Sequence, residues 1–288
     1  MKNYKHDSSS MNWPWCESPF FYDILNAQNF SNSEKELVTQ YHEEGYCIVD
    51  LDLSQTDLSN MRQEVDRINN SDAVKLQDSG YHYSKGKRIF EAWKSSDLLK
   101  SLSLNSKILD ILNLLYQRKP IPFQTITFNY GSNQPLHSDT IHFHSLPHRW
   151  LVGAWVALED MDENNGSLIY VPKSHKLPVF DFYDLNISTP KFGEQFDAYS
   201  EYENFIAQLI DSKKLEKRTL KCKAGSVLIW AANLVHGGDI IRDTNRSRYS
   251  QVTHYYFDGC DKYYTPMFSD AWKGSFSEKN LKEKNFYV

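Results

Sequence analysis

In the first third of the chain, apolar residues recur at helical spacing. Asn32-Ser33-Glu34-Lys35-Glu36-Leu37 opens a helix, with Ser33 as N-cap and Glu36 at the N3 position. The helix runs to about Glu44, and Gly45 stops it. Tyr46-Cys47-Ile48-Val49 reads as a short strand. Two amphipathic helices follow over residues 58–68 and 107–116. In the second, Ile108, Ile111, Leu112 and Leu115 share a face.

From Pro122 the period shortens to that of strands. Residues 123–130, 150–158, 167–172, 226–232 and 249–257 are rich in aromatic and β-branched side chains. Gly131, Asn164-Asn165-Gly166, Ala224-Gly225 and Gly237-Gly238 punctuate them as turns. Residues 177–214 interrupt the pattern as an insertion with a helix near 199–210, and residues 1–18 read as a loose lead-in. The expected architecture over residues 1–288 is one mainly-β domain, a sandwich or barrel with α-helices flanking it.

Composition narrows the function. A net charge of −5 gives no footprint for nucleic acid, and no apolar run approaches the roughly 20 residues that cross a bilayer. Residues 1–15 are polar and Ser-rich without the apolar core of a secretion signal, so a cytoplasmic location is expected. Cys16, Cys47, Cys222 and Cys260 form no CxxC pair and read as reduced structural thiols.

The chemistry concentrates at Leu136-His137-Ser138-Asp139 and, far along the chain, at Val235-His236-Gly237. Side chains two apart in an extended strand share a face, so His137 and Asp139 aim together. His236, from a second strand end, completes two imidazoles and a carboxylate. Such a trio binds one side of a divalent iron and leaves the remaining positions open. Unbroken alternation turns His142 and His144 to the opposite face, with Thr140. A 2-oxo acid filling two open positions needs a cation for its far carboxylate. Arg248 and Ser250, two apart on a strand, suit that role, while Arg246 sits in the turn Asn245-Arg246-Ser247 and Arg242 in a loop. Trp155 lies between Gly153 and Ala157 and borders the co-substrate or belongs to the core; spacing alone favours the core.

Several motifs, in order, resemble one family. Leu136-His137-Ser138-Asp139-Thr140-Ile141-His142-Phe143 resembles the iron-binding signature of the phytanoyl-CoA dioxygenase family. Gly153-Ala154-Trp155-Val156-Ala157-Leu158-Glu159-Asp160, Asn164-Asn165-Gly166-Ser167-Leu168 and Val171-Pro172-Lys173-Ser174-His175-Lys176 are similar to its following blocks. Ala224-Gly225-Ser226-Val227-Leu228-Ile229-Trp230 with Asn233-Leu234-Val235-His236-Gly237-Gly238 looks like the distal histidine segment, and Arg248-Tyr249-Ser250 like the co-substrate strand.

The resemblance implies a double-stranded β-helix (a jelly roll, cupin-like) and dependence on Fe(II), 2-oxoglutarate and O2, with succinate and CO2 as products. It implies His137, Asp139 and His236 as iron ligands, Arg248 and Ser250 on the distal carboxylate and Trp155 against the co-substrate, with Gln124 and Thr127 as polar neighbours. Asp139 stands where iron halogenases carry a small residue, so hydroxylation is expected over halogenation, with desaturation and ring chemistry left open. Lys173 departs from the glycine usual before Ser-His. No acyl-CoA recognition element is evident, so the expected partner is a small molecule of unknown identity, with no nucleic acid and no membrane. Residues 81–88 and 91–93 are a candidate lid, and His144, His148 and Arg149 a candidate lining for an anionic substrate. Two other readings remain open: a zinc hydrolase on the same trio, and a non-catalytic β-barrel binding module.

Overall fold

The computed structural model describes residues 12–71, 88–187, 195–260 and 262–280. Its main sheet is built from β1 (Tyr46–Asp50), β2 (Ile89–Phe90), β3 (Pro120–Phe128), β5 (Leu151–Ala157), β8 (Ser226–Ala231) and β10 (Ser250–Phe257). These run antiparallel in the order β1-β8-β5-β10-β3-β2. A second sheet orders β7 (Arg218–Thr219), β6 (Leu168–Tyr170) and β9 (His236–Gly238) as β7-β6-β9. A third joins β4 (His144–Leu146), β11 (Lys262–Tyr264) and β12 (Glu278–Asn280).

Strand alternation sorts the main sheet into two faces. Val152, Ala154 and Val156 of β5 pack with Val227, Ile229 and Ala231 of β8 in a core shared with the helices. Trp155 and Ala157 point the other way, with Leu228 and Trp230, towards Leu168 and Tyr170 of the second sheet. The jelly-roll expectation therefore holds, with helices on one face of the main sheet and the second sheet across the other.

The helices on the outer face are α1 (Phe21–Ala27), α2 (Asn32–Glu44), α3 (Gln55–Asn69), α4 (Asp97–Ser103) and α5 (Ser106–Tyr116). The cap of α2 sits two residues before the expected one. Ser31 and Glu34, not Ser33 and Glu36, form the capping box, with the Ser31 N–H donating to Glu34 Oε2 at 2.7 Å. Both pairs have the required spacing, and the earlier one sets Phe30 against the Trp15 ring at 5.7 Å. Gly45 ends the helix in the left-handed region, φ 83°, and its N–H donates to Tyr41 at 2.8 Å. Lys173 also takes a left-handed φ of 69°, keeping the backbone shape that a glycine there would have.

The insertion and the lead-in are both more integrated than expected. α6 (Gln195–Ser212) buries Tyr199, Tyr202, Ile206 and Ile210 against Ile141, Val171 and Val235, beside the metal-binding motif. From residue 12 the lead-in is anchored: Trp15 and Cys16 are buried, and Glu17 pairs with Arg149 at 2.6 Å. Trp15 packs on Phe21 and Phe30 and donates its indole N–H to Leu114 of α5, while the turn before β5 supplies Arg149 to Glu17. The four cysteines are free. No helix among the described residues is long and apolar enough to cross a membrane.

The Glu17–Arg149 pair carries a stability prediction. Burial raises the Glu17 carboxyl, and Arg149 opposes that rise. Arg149→Met strands the carboxylate and is expected to cost about 3–5 kcal/mol in denaturant unfolding. The double change to Glu17→Gln and Arg149→Met should recover much of the loss. An unchanged midpoint in the single variant would contradict the anchoring.

Candidate metal centre

His137 and His236 face each other across an isolated antiparallel bridge and exchange both backbone hydrogen bonds, each 2.9 Å. Opposed residues in such a pair carry side chains on the same side. Each ring donates Nδ1–H to the carbonyl two residues before it, His137 to Pro135 and His236 to Leu234, both at 2.9 Å. That bond sets the tautomer and leaves both Nε2 lone pairs for a metal.

Asp139 supplies the oxygen. Its Oδ1 lies 3.9 Å from His137 Nε2 and 3.7 Å from His236 Nε2. Its Oδ2 accepts the Trp230 indole N–H at 2.7 Å. All three ligand atoms fall within 4.8 Å of one another, and all three residues are buried. Trp230 reaches Asp139 because its strand neighbour is Gly153: a Cβ there would sit 2.3 Å from the indole.

Protonation suits metal binding. Burial drives the His137 imidazolium down, with His236 adding to the effect and Asp139 opposing it. At Asp139 burial raises the carboxyl, but His236, His254 and His137 together overcome this and hold it below the usual range. A neutral His137 ring and an ionised Asp139 carboxylate are the forms that bind a cation.

The trio opens into a cavity of about 280 Å³. Arg248 lies on its wall, fully buried, with its guanidinium 4.9 Å from the Phe128 ring and 5.6 Å from the Trp155 ring. One terminal N–H donates to the Tyr130 carbonyl at 3.2 Å, while Nε has no partner. Burial pushes this group down to about 9, so it is still cationic at neutral pH. Ser250 Oγ and Trp155 Nε1 are likewise buried without partners. Trp155 thus belongs to both core and cavity wall. Gln124 also lines the cavity, with its buried Oε1 unpartnered.

Thr127 is not brought to the site. It lies three residues from Gln124 on β3, hence on the other face, where its hydroxyl donates to Gln251 at 3.2 Å. Arg242 and Arg246 are held elsewhere, Arg246 by Asp162 at 2.6 Å and Arg242 by Glu163 and Asp239. His142 departs from the strand parity. A 3₁₀ turn, Asp139–Ile141, breaks the alternation after Asp139 and delivers His142 to the cavity. His144 and His148 bond to each other and, with Arg149, line a separate smaller cavity. Of the candidate lid, residues 81–87 lie outside the described residues, and Arg88 is on the cavity wall.

His254 was not anticipated. Its Nε2 lies 3.6 Å from Asp139 Oδ2, opposite Gly153 in the register. The signal was present in the alternation Arg248, Ser250, Val252, His254 along one strand face.

Comparison with known proteins agrees with this geometry. The sequence profile of the phytanoyl-CoA dioxygenase (PhyH) family matches residues 41–248. This chain belongs to the PhyH family. It is 25% identical over 184 residues to peroxisomal phytanoyl-CoA dioxygenase of Rattus norvegicus, covering 57% of this chain and 53% of that protein. The Bos taurus enzyme is 25% identical over 158 residues, covering 48% and 47%. The chain thus spans about half the length of these two relatives.

Solved structures share the fold of this chain. The α-ketoglutarate-dependent carbocyclase SnoK of nogalamycin biosynthesis superposes with a TM-score of 0.62 at 19% identity, covering 82% of this chain and 86% of that one. The epimerase SnoN gives 0.60 at 20%, covering 78% and 83%. EctD from S. alaskensis with bound iron gives 0.60 at 16%, covering 83% and 80%.

The Trp230–Asp139 bond generates a prediction. Trp230→Phe keeps the ring and removes the donor, so Co(II) affinity by calorimetry should fall about tenfold to a hundredfold. Unchanged affinity would mean that the indole does not orient the carboxylate.

Proposed function

We propose that this chain is an oxygenase that uses Fe(II), 2-oxoglutarate and O2 to hydroxylate a C–H bond of a small molecule. The carrying observation is Arg248. A buried guanidinium with an unpartnered Nε, flanked by the unpartnered donors of Ser250 and Trp155, calls for an anionic ligand in the cavity that the metal trio faces. A zinc hydrolase or a binding module on the same trio leaves that cation without a purpose.

His137, Asp139 and His236 would hold the iron. Arg248, Ser250 and Trp155 would bind the far carboxylate of 2-oxoglutarate, and Gln124 is a polar neighbour. The metal and oxo acid supply the oxidising chemistry: 2-oxoglutarate, O2 and R–H become succinate, CO2 and R–OH. The protein's own share is orientation. The Nδ1–H bonds of the two histidines fix their rings, Trp230 holds one carboxylate oxygen, and the aromatic wall excludes water. Asp139 occupies the position a halide would need, which favours hydroxylation over halogenation. Relatives of this fold include an epimerase and a carbocyclase. Hydroxylation requires no protein group beyond those named, and it is the outcome we assign.

Anaerobic addition of Fe(II) and 2-oxoglutarate is expected to produce a weak visible charge-transfer band. Arg248→Met should weaken 2-oxoglutarate binding at least about thirtyfold, the effect of truncating a buried charged partner. Asp139→Ala should abolish succinate release. Absence of the band in the wild type, or normal succinate release by the Asp139→Ala variant, would overturn the assignment.

A further inference from the structure

The segment that follows the metal-binding motif is a wall with a cavity on each side. Asp139 and His142 line the metal cavity, while Thr140 and His144 line a second cavity of about 220 Å³. Phe143 is the one residue, among those described, that lines both. Its ring therefore stands between the space of about 280 Å³ at the metal trio and the smaller one behind it.

The turn that presents the metal carboxylate also places this ring. The Phe143 N–H donates to the Asp139 carbonyl at 2.9 Å, just past the 3₁₀ turn Asp139–Ile141. The ring packs edge-on against Phe123, with centroids 5.3 Å apart, and against His254 at 5.0 Å. A phenyl ring makes no hydrogen bond of its own here, so packing alone holds the partition.

The second cavity is furnished for an uncharged occupant. Arg149 is paired with Glu17 and lies over the Trp13 ring at 4.9 Å. His144 and His148 bond to each other, and the Thr140 and Ser138 hydroxyls share a bond of 2.7 Å. Ser145 Oγ accepts the Trp150 N–H at 3.0 Å. Burial, with His148 and Arg149 nearby, pushes His144 down to about 4, so its ring is neutral at neutral pH. Its Nδ1 is buried there without a partner. Val179 and Ala232 add apolar wall.

We propose that Phe143 is the residue that sets how long a substrate the metal cavity accepts. The apolar body of the substrate stops against this ring, and a smaller side chain at position 143 opens the second cavity to the same ligand. This rests on the oxygenase reading above, which makes the metal cavity the substrate site, and adds a limit of size to it. The space behind the ring offers no free charge, so what it takes up is additional hydrocarbon.

The test uses the straight-chain 1-alkanols from propanol to decanol as probes. Each is titrated calorimetrically into Co(II)-loaded protein with 2-oxoglutarate present. In the wild type, affinity is expected to rise about fourfold per methylene until the chain meets Phe143, and then to level off. In Phe143→Ala the rise should continue past that length. Val179→Phe fills the second cavity from its own wall and should leave the wild-type limit where it is. Combined with Phe143→Ala, it should bring the limit back. Phe143→Leu should give an intermediate limit and carries the test if the alanine variant does not fold. The Fe(II)·2-oxoglutarate band of each variant reports an intact centre. The proposal is overturned if wild type and Phe143 variants level off at the same chain length, if no alkanol binds any of them, or if the longer limit survives Val179→Phe. Failure of the oxygenase reading shows itself separately, as absence of the band in the wild type.

Discussion

The two backbone hydrogen bonds between His137 and His236 are the constraint on which the rest of the site depends. They join a loop that leaves β3 to the short strand β9, and so bring together residues far apart in the chain. Each histidine then repeats one local device, an Nδ1–H bonded to the carbonyl two residues back. The result is two imidazole nitrogens converging from a single rung. Asp139 is added by the turn that follows His137, and Trp230 and Gly153 hold it from the sheet beneath. The arrangement places two imidazole nitrogens and a carboxylate oxygen within a buried space, a combination that a divalent metal satisfies.

The second demand on this cavity is opposite in sign. Arg248 is a cation withdrawn from water, packed between aromatic rings and given one carbonyl. Isolated burial of such a charge is unfavourable, and folding tolerates it where an anion completes the site. The metal trio and Arg248 together describe a ligand that chelates at one end and is negatively charged at the other. This pairing of demands supports a 2-oxo acid more directly than either feature alone.

Much of this was legible in the sequence because it depends on period. Alternation placed Arg248 and Ser250 together, separated Trp155 from Val152, Ala154 and Val156, and predicted the large strands. The same rule argues against Thr127, which sits an odd number of residues from Gln124 and turns to the helical side. Where the chain leaves regular structure, the rule fails. The 3₁₀ turn after Asp139 reverses the expectation for His142, and no spacing argument announces such a turn. α1 and α4 are two turns long, too short for a clear helical period. The ties of Tyr199 to His142 and of Arg88 to Gln134 are tertiary, set by how α6, inserted between β6 and β7, and an edge strand pack, and sequence spacing carries no trace of them.

The most direct measurement is a crystal structure grown anaerobically with Fe(II) and 2-oxoglutarate. The account predicts one metal bonded to His137 Nε2, His236 Nε2 and a single oxygen of Asp139, with the oxo acid reaching from that metal to the Arg248 guanidinium. A metal held by other residues, or an oxo acid whose far carboxylate lies away from Arg248, would contradict it.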